Sequence, residues 1–428
     1  MRYAGRACKQ AYQARGKVER TMHRKTAGLP IILMAAGLAL FAAPQASTAP
    51  DYSKQLGSPA DGQFRPSTLP QLEEAYLMTL FPSSHAANLL RLKSGDLLCV
   101  WFSGTWEGDS DVGIMLARLP KGSRQWSKPV RVDHHLGESY QNPVLFEAPD
   151  GVLWLIHTTQ AAGEGQANAK VLVTKSADGG KTWTSPAVLF DQPGSFVRQP
   201  LVIAPNGSWI LPMYLTPSRG ITTGAETNYS VVKISEDQGG HWKDCAIPNS
   251  NGYVQPTVVR LKDGSYSAFF RSRYADYIYQ STSKDACAWT APEKTKLPNN
   301  NSSIQLAELS NGHLVIAFNN AGSVVTKGKP TAGPRKPLSV ALAEDGGHTW
   351  GWVRDIETGE PRAGELPADP LKKDDPGREE YSYPSILQGA DGQIVVAYTY
   401  RRLTIKVVIF SEGWIKNGTT RGTFKGEK

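Results

Sequence analysis

The feature that most constrains the fold of this 428-residue chain is a short turn sequence that recurs along it. Its clearest form is Ser176–Trp183, which reads Ser-Ala-Asp-Gly-Gly-Lys-Thr-Trp. Close copies occupy Ser235–Trp242 and Ala343–Trp350, and a degenerate copy occupies Ser283–Trp289. In such a turn the aspartate accepts backbone N–H hydrogen bonds, glycine supplies a positive φ and tryptophan covers the turn. Several copies at this spacing predict an array of similar β units.

A second repeated signal is a glycine, usually after Asp or Asn, that opens an apolar β-rich run and is followed later by a tryptophan. These glycines lie 48 to 57 residues apart, with one gap of 80 residues. They are Gly95, Gly151, Gly207, Gly264, Gly312 and Gly392. Helical periodicity is nearly absent after residue 60, and a unit of several strands at this period is a propeller blade. The sequence therefore predicts an all-β, six-bladed β-propeller over residues 71–428, after a linker at residues 50–70. A β-helix repeats at a shorter period and a sandwich does not repeat, so both rank far behind.

The longer gap contains one irregular insert, Asp355–Glu380, which is rich in proline, glycine and charge. It is too polar to pack as another blade. We expect a loop that lies over one face of the propeller, near the site or simply solvated.

Residues 1–49 are predicted to be an N-terminal extension with a secretory signal peptide. His23-Arg24-Lys25 precedes an apolar run, Leu29–Ala43, and the small residues of Gln45–Ala49 follow it. Met22 is a candidate for the true start. A membrane anchor is the alternative, but the apolar run is shorter than the roughly 20 residues of a spanning helix. We expect a periplasmic or secreted protein with no stable membrane insertion after cleavage.

The formal charge of +8 comes largely from this N-terminus. Residues 1–25 carry eight basic side chains against Glu19 alone, so the remainder is nearly neutral. A basic surface is the electrostatic footprint of nucleic-acid binding. We therefore expect no nucleic-acid partner.

Export would place three cysteines in an oxidising compartment. Cys245 lies just past Trp242 and Cys287 just before Trp289, so two adjoining β units could bring them together. A disulfide and two separate thiols both remain open. Cys99, within an apolar strand, is expected to be a plain core residue.

The strand just upstream of each hairpin glycine would line the central axis, and each of these strands starts with polar or small residues. Because the six starts converge at one mouth of the axis, they predict a polar pocket there. The residues expected to line it are His85, Asn142, Arg198, Gln199, Gln255, Ser303 and Tyr383.

Arginines near this mouth are candidates for substrate binding, because a guanidinium holds a carboxylate through two hydrogen bonds. Besides Arg198 they include Arg271, Arg273 and Arg335. Arg271 and Arg273 follow apolar residues in a strand, so we expect one of the two to face inward. The alternative is that each arginine lies on the surface or packs on a neighbouring blade.

Four residues are candidates for catalysis. Tyr383 supplies a phenol that can act as a nucleophile or acid, or simply bind substrate. Asp109 or Asp111, in a loop of the first blade, can supply a general acid, although aspartates in glycine-rich turns are mostly structural. His85, with a pKa expected near neutrality, can be a base or acid, or only a hydrogen-bonding strand residue.

No metal-ligand cluster with diagnostic spacing, phosphate-binding glycine loop or nucleophile elbow appears in the sequence. No metal and no cofactor are therefore expected.

Several segments carry a family resemblance: His85-Ala86, Gly104-Thr105, Glu107-Gly108, Arg271-Ser272-Arg273, Pro337–Ala341 and Tyr381–Pro384. Through these and the aspartate turns, about residues 75–415 resemble the sialidase superfamily, and most closely bacterial neuraminidase-like proteins with BNR repeats. The resemblance implies a sialidase-type propeller. It also implies three arginines that bind a sugar carboxylate, an aspartate that relays protons, and a tyrosine nucleophile that a glutamate activates.

Carried over by position, the tyrosine matches Tyr383, and the second and third arginines match Arg271 and Arg335. Two positions depart from the family pattern. His85 stands where the first arginine is expected, and Gln255 stands where the activating glutamate is expected. A glutamine cannot accept the phenol proton as a glutamate does.

The leading prediction is an exported, monomeric, sialidase-like glycoside hydrolase that acts on terminal acidic sugars of glycans, with retaining hydrolysis through a tyrosyl-glycoside. One alternative is a uronate-directed polysaccharide lyase or rhamnosidase-type enzyme, in which His85 or Tyr383 abstracts a proton and the missing glutamate is not needed. The other is a non-catalytic glycan-binding propeller.

Overall fold

The computed structural model describes residues 50–217, 225–326, 329–360 and 379–418. The predicted signal peptide lies outside these residues. Residues 361–378 of the predicted insert, Asp355–Glu380, also lie outside them. No helix in the described ranges is long and apolar enough to cross a bilayer.

The described chain forms six antiparallel blades in sequence order, preceded by one short helix and two strands. The leading elements are α1 (Ser53–Leu56), β1 (Arg65–Pro66) and β2 (Glu73–Tyr76). The first blade contains β3 (Ser83–Arg91), β4 (Leu97–Gly104), β5 (Gly113–Leu119) and β6 (Val130–Asp133). The second contains β7 (Glu138–Glu147), β8 (Leu153–Ala161), β9 (Lys170–Ser176) and β10 (Ala187–Phe190).

The third and fourth blades follow the same plan, except that the innermost strand of the third is broken into two pieces that both pair with the next strand. The third blade contains β11 (Ser195–Val197), β12 (Val202–Ile203), β13 (Trp209–Leu215), β14 (Tyr229–Ser235) and β15 (Lys243–Ala246). The fourth contains β16 (Tyr253–Arg260), β17 (Tyr266–Ser272), β18 (Tyr277–Ser283) and β19 (Glu293–Pro298).

The fifth blade carries an extra two-stranded hairpin, and the sixth is followed by a short helix. The fifth blade contains β20 (Gln305–Glu308), β21 (Leu314–Asn319), β24 (Leu338–Ala343) and β25 (Trp352–Glu357), with the hairpin β22 (Val324–Thr326) and β23 (Lys329–Thr331) inserted. The sixth contains β26 (Tyr381–Gln388), β27 (Ile394–Tyr400) and β28 (Thr404–Phe410), and α2 (Glu412–Lys416) follows. The predicted all-β, six-bladed propeller is confirmed.

The sixth blade closes the ring by joining both ends of the described chain. Strand β2 pairs with β28, with Glu73 opposite Ile409, and β1 pairs with β2. The segment predicted to be a linker, residues 50–70, therefore also contributes a strand to the propeller.

The core lies between the blades, because each sheet packs face to face on its neighbours. Trp101 of the first blade shares an apolar cluster with Val407 of the sixth, and Phe269 of the fourth blade shares one with Ile316 of the fifth. The other four pairs of adjacent blades share clusters in the same way. This arrangement leaves the strand ends at the axis as the place where polar side chains from all blades meet.

The recurring aspartate turns form as predicted. Asp178 Oδ1 accepts the backbone N–H groups of Lys181 and Thr182, both at 2.9 Å, and Trp183 Nε1 donates to the Gly180 carbonyl at 3.2 Å. The hydroxyl and backbone N–H of Thr182 stabilise the carboxylate, so the pKa of Asp178 lies well below its ordinary value.

A disulfide joins Cys245 of the third blade to Cys287 of the fourth, with the two Cα atoms 4.8 Å apart. The sequence left this pairing open. Cys99 is a buried free thiol in β4, as predicted.

Replacing both bridged cysteines by serine is expected to lower the free energy of unfolding by about 2–4 kcal/mol, because the bridge removes loop entropy from the unfolded chain. The separation of 42 residues sets the size of that loop. Urea denaturation measures the change. A reductant should lower the stability of the wild type and leave that of the Cys245→Ser/Cys287→Ser variant unchanged. Equal stability of the two proteins without reductant would contradict the expectation.

Candidate active site

The inner strands of four blades begin with a β-bulge that places one non-glycine residue at left-handed φ. These residues are Ala86 (60°), Asn142 (50°), Gln255 (55°) and Tyr383 (52°). A bulge interrupts the ladder and redirects a side chain, and such backbone conformations concentrate at functional sites. Three of the four side chains take part in one connected set of contacts at the axis, which is the candidate active site.

The Tyr383 phenol lies at the centre of this site. Its hydroxyl oxygen is 2.6 Å from Arg271 Nη1, and the same Nη1 donates to Gln255 Oε1 at 3.3 Å. The guanidinium carbons of Arg198, Arg271 and Arg335 lie 5.4, 5.7 and 5.2 Å from the centre of its ring.

These cations set the ionisation of the phenol. Burial alone would raise the pKa of Tyr383, but the charges of Arg271, Arg335 and Arg273 together outweigh burial and lower it to about 8. The carboxylate of Glu107 acts in the opposite direction. A fraction of the phenol is therefore phenolate near neutral pH, although no carboxylate among the described residues is hydrogen-bonded to it.

Charged residues that the sequence analysis did not single out form a network beside the phenol. Glu380 is buried and accepts hydrogen bonds from Arg335 Nη1, Arg402 Nε at 3.0 Å and Ser382 Oγ at 2.9 Å. Arg402, at left-handed φ (61°) in the β27–β28 turn, donates through Nη1 to Glu107 Oε2 at 2.7 Å. An arginine in a hairpin turn is ordinarily solvated. The one sequence feature that could have pointed to this network is the unusual pair Arg401-Arg402.

The carboxylate nearest the phenol in the loop of the first blade is that of Glu107. Its side chain is 32% exposed, and its Oε1 accepts no hydrogen bond within the part of the chain that the structure describes. Asp111 is committed to the turn itself, where it accepts the Thr105 N–H at 3.0 Å and the Thr105 hydroxyl at 2.8 Å. Asp109 is exposed. The structure thus brings Glu107, rather than the two predicted aspartates, into the site.

His85 is buried against Tyr383, with the two ring centres 4.2 Å apart. Its Nδ1 lies 2.7 Å from Thr399 Oγ1, and its buried Nε2 has no hydrogen-bond partner among the described residues. Burial, assisted by the charge of Arg402, holds the pKa of His85 well below its ordinary value, although Glu380 opposes this. The imidazole is therefore neutral near pH 7, where the sequence predicted a group that titrates near neutrality.

Arg198 and Gln199 reach the axis as predicted, but their polar groups bind the protein itself. Arg198 donates to the carbonyls of Ala87, Tyr383 and Pro384, each at 3.0 Å, and to a serine hydroxyl. Gln199 donates to the Ile304 carbonyl at 2.7 Å. The innermost strand of the third blade is broken at these residues, and their side chains donate to backbone carbonyls of other blades. Neither is free to hold a substrate.

A second phenol, Tyr214, completes the site on the side of the third blade. The Tyr214 hydroxyl oxygen accepts a hydrogen bond from Asn142 Nδ2 at 3.5 Å and another from Gln255 Nε2 at 3.3 Å. Burial raises the pKa of Tyr214, so it stays a neutral phenol while Tyr383 ionises. The sequence gave no signal for Tyr214, because it lies in a continuous apolar strand.

Tyr383 should be the first tyrosine to ionise when the pH is raised, with a midpoint near pH 8. Near-ultraviolet absorption of phenolate measures this, and Tyr383→Phe should remove the transition. Arg271→Gln should move it above the pKa of an ordinary tyrosine, because the burial remains while the nearest cation is lost. Arg124→Gln, which removes an exposed arginine paired with Glu73, is the matched control and should leave the midpoint unchanged. A midpoint that Arg271→Gln does not move would contradict this assignment.

Known proteins share this fold at low sequence identity. The NanB sialidase from Streptococcus pneumoniae is 13% identical with a TM-score of 0.62, over 84% of this chain and 71% of that one. The intramolecular trans-sialidase from Ruminococcus gnavus is 14% identical with a TM-score of 0.58, over 78% and 95%. A protein of unknown function from Dyadobacter fermentans is 16% identical with a TM-score of 0.61, over 79% and 99%. Such likeness shows the fold alone, and no curated protein matches the sequence.

The sequence itself matches a family model, described as a BNR repeat-like domain, over residues 95–396. This span includes the aspartate turns, Arg271, Arg335 and Tyr383. The chain therefore belongs to the BNR repeat-like domain family, and it shares its fold with sialidases.

Proposed function

We propose that the protein is an exported, sialidase-like glycoside hydrolase that acts on terminal acidic sugars of glycans. The observation that carries this proposal is the Tyr383 phenol, with a pKa of about 8, held 2.6 Å from Arg271 and with three guanidinium groups around its ring. Export itself rests on the predicted signal peptide.

Arg271 is oriented to bind the carboxylate of the sugar. Its Nε donates to Asn301 Oδ1 at 2.8 Å and its Nη1 serves Tyr383 and Gln255, whereas its Nη2 makes no hydrogen bond within the described residues. Arg335, whose side chain is 25% exposed, places its guanidinium carbon 5.2 Å from the centre of the same phenol ring. Two guanidinium groups held in this way bind a carboxylate with charge-assisted hydrogen bonds.

Tyr383 is the proposed nucleophile. Its phenolate oxygen forms a bond to the anomeric carbon while the bond from that carbon to the leaving oxygen breaks, and Glu107 gives the leaving oxygen a proton. In the second half, Glu107 takes a proton from water, the water oxygen bonds to the anomeric carbon, and Tyr383 leaves as phenolate. The nearby arginines stabilise the phenolate that a glutamate base would otherwise have to generate. Gln255, in place of that glutamate, orients Arg271 and Tyr214.

Elimination on a uronate glycan is a second candidate, and the ionised phenol without a carboxylate base favours it. Arginines that neutralise the uronate carboxylate acidify the neighbouring C5 proton. The Tyr383 phenolate takes this proton, a C4–C5 double bond forms, and the bond from C4 to the leaving oxygen breaks as Glu107 protonates that oxygen.

Incubation with a sialyl-aryl glycoside and a panel of uronate-terminated oligosaccharides, followed by mass spectrometry, tests the proposal. Hydrolysis adds water to the products, and elimination gives an unsaturated product of the unhydrated mass that absorbs in the ultraviolet. We expect hydrolysis of an acidic terminal sugar, and Tyr383→Phe should abolish it without abolishing binding. Binding without any turnover by the wild type would support a glycan-binding propeller instead.

Glu107→Gln is expected to lower kcat by about 100- to 10,000-fold, the contribution of a positioned proton donor. An activated aryl leaving group needs less protonation, so the loss should be smaller on the aryl glycoside than on a natural glycan. Asp109→Asn, on the same loop, is the comparison for the competing assignment. A large loss in Asp109→Asn with normal activity in Glu107→Gln would transfer the proton-donor role to Asp109.

A further inference from the structure

Arg273 is a buried cation whose guanidinium has no partner among the described residues. Its side chain belongs to a residue only 9% exposed, and its Nε is buried with no hydrogen bond. Its guanidinium makes no hydrogen bond or ion pair to any of the described residues. Buried charges are normally paired, because removal from water is costly unless another charge or hydrogen bonds compensate it. An unpaired, buried guanidinium beside the candidate active site is therefore a group that an anionic ligand would stabilise.

Arg271 lies in β17 (Tyr266–Ser272), and Arg273 follows at the start of the turn to β18. The charges of both arginines act on Tyr383 and on Tyr214, so both guanidinium groups lie beside the candidate active site, whereas only one was expected to face inward. Both are buried, at 4% for Arg271 and 9% for Arg273. The backbone N–H of Arg273 donates to the Gly252 carbonyl at 2.8 Å, which fixes the end of the strand.

Three other arginines of the site already have partners within the protein. Arg402 and Arg335 pair with Glu107 and Glu380, and Arg198 binds backbone carbonyls. Five guanidinium groups thus face two carboxylates: Arg198, Arg271, Arg273, Arg335 and Arg402 against Glu107 and Glu380. One substrate carboxylate and one phenolate would still leave a cation in excess.

Burial, and then the neighbouring charge of Arg271, lower the pKa of Arg273 to about 10, while Tyr214 and Tyr383 oppose the shift. The guanidinium therefore still carries its charge at neutral pH. It faces the same phenols that bound the candidate active site, so a ligand in that site comes within its reach.

We propose that Arg273 forms a second anion subsite, so that the substrate carries two anionic groups: the carboxylate bound by Arg271 and Arg335, and a sulfate ester or second carboxylate bound by Arg273. This inference rests on the proposed function and names the substrate class of the same site. Because the charges of Arg271 and Arg273 act on the same two phenols, the second anionic group belongs to the same sugar or to its immediate neighbour.

Inorganic sulfate is a probe of this subsite that does not depend on turnover. Thermal unfolding of the wild type, Arg273→Met and Arg271→Gln is compared in sodium sulfate and in sodium chloride at equal ionic strength. In chloride, Arg273→Met should unfold at a higher temperature than the wild type, because an apolar side chain of similar length replaces an unpaired charge. Arg273→Met should also lose at least half of the rise in Tm that sulfate causes in the wild type. Arg271→Gln should keep the part of that rise that depends on Arg273.

Arg273→Lys keeps the charge and should retain most of the sulfate effect, which excludes a merely structural loss. A lower Tm of Arg273→Met in chloride would overturn the proposal, because it would show that the guanidinium is stabilised within the protein. A sulfate effect that is equal in the wild type and Arg273→Met would also overturn it.

Binding calorimetry with matched uronate disaccharides separates the two sources of the second anion. One disaccharide carries no further charge, one carries a sulfate ester and one carries a second carboxylate. We expect one of the charged pair to bind the wild type at least about tenfold more tightly than the uncharged one, and Arg273→Met to remove that gain. Equal weakening of all three would show that Arg273 only helps to bind the first carboxylate. Because binding is the readout, absence of hydrolysis would reject the proposed function and leave this test valid.

Discussion

The site depends on one buried arginine that forms hydrogen bonds to several blades at the axis. Arg198 of the third blade donates to the Ala87 carbonyl of the first and to the Tyr383 and Pro384 carbonyls of the sixth, and to Ser303 before the fifth. Apolar packing holds each blade to its neighbours, but it does not fix the height of a strand end at the axis. Hydrogen bonds from one rigid, planar group to three other blades do so, because their directions are set by the guanidinium.

In the same site, the positive charges of several arginines lower the pKa of Tyr383, so that its ionisation does not depend on a neighbouring base. A neutral Gln255 stands opposite the phenol, yet cations on several blades make the phenolate accessible near neutral pH. The neutral His85 fits this reading, because another charged group in the same buried space would have to be compensated. A glutamate base acts on one proton at one distance, whereas the summed field of several arginines would also attract the proposed anionic substrate.

The sequence was sufficient for the fold because the fold is local and repeated. Each aspartate turn and hairpin glycine acts within one blade, so the count and spacing of blades could be read directly. Tyr383, Arg271 and Arg335 could also be located, since their offsets from these landmarks are short. The residues that bind each other across blades could not be predicted in this way. Arg402 and Glu107 are 295 residues apart, and no periodic pattern reports which turn of one blade meets which loop of another.

The pairing of charged side chains was the feature of the site that the sequence predicted least well. This pairing decides which polar residues remain to bind a ligand. Arg198 and Gln199 occupy the same kind of position as Gln255 and Tyr383, yet their side chains bind backbone carbonyls of other blades. Arg335 and Arg402 share the buried Glu380. An uncompensated cation in such a site lowers the stability of the free protein and strengthens binding of an anion, because the ligand removes the cost of burial. The balance of buried arginines and carboxylates therefore couples the stability of this propeller to occupancy of its site.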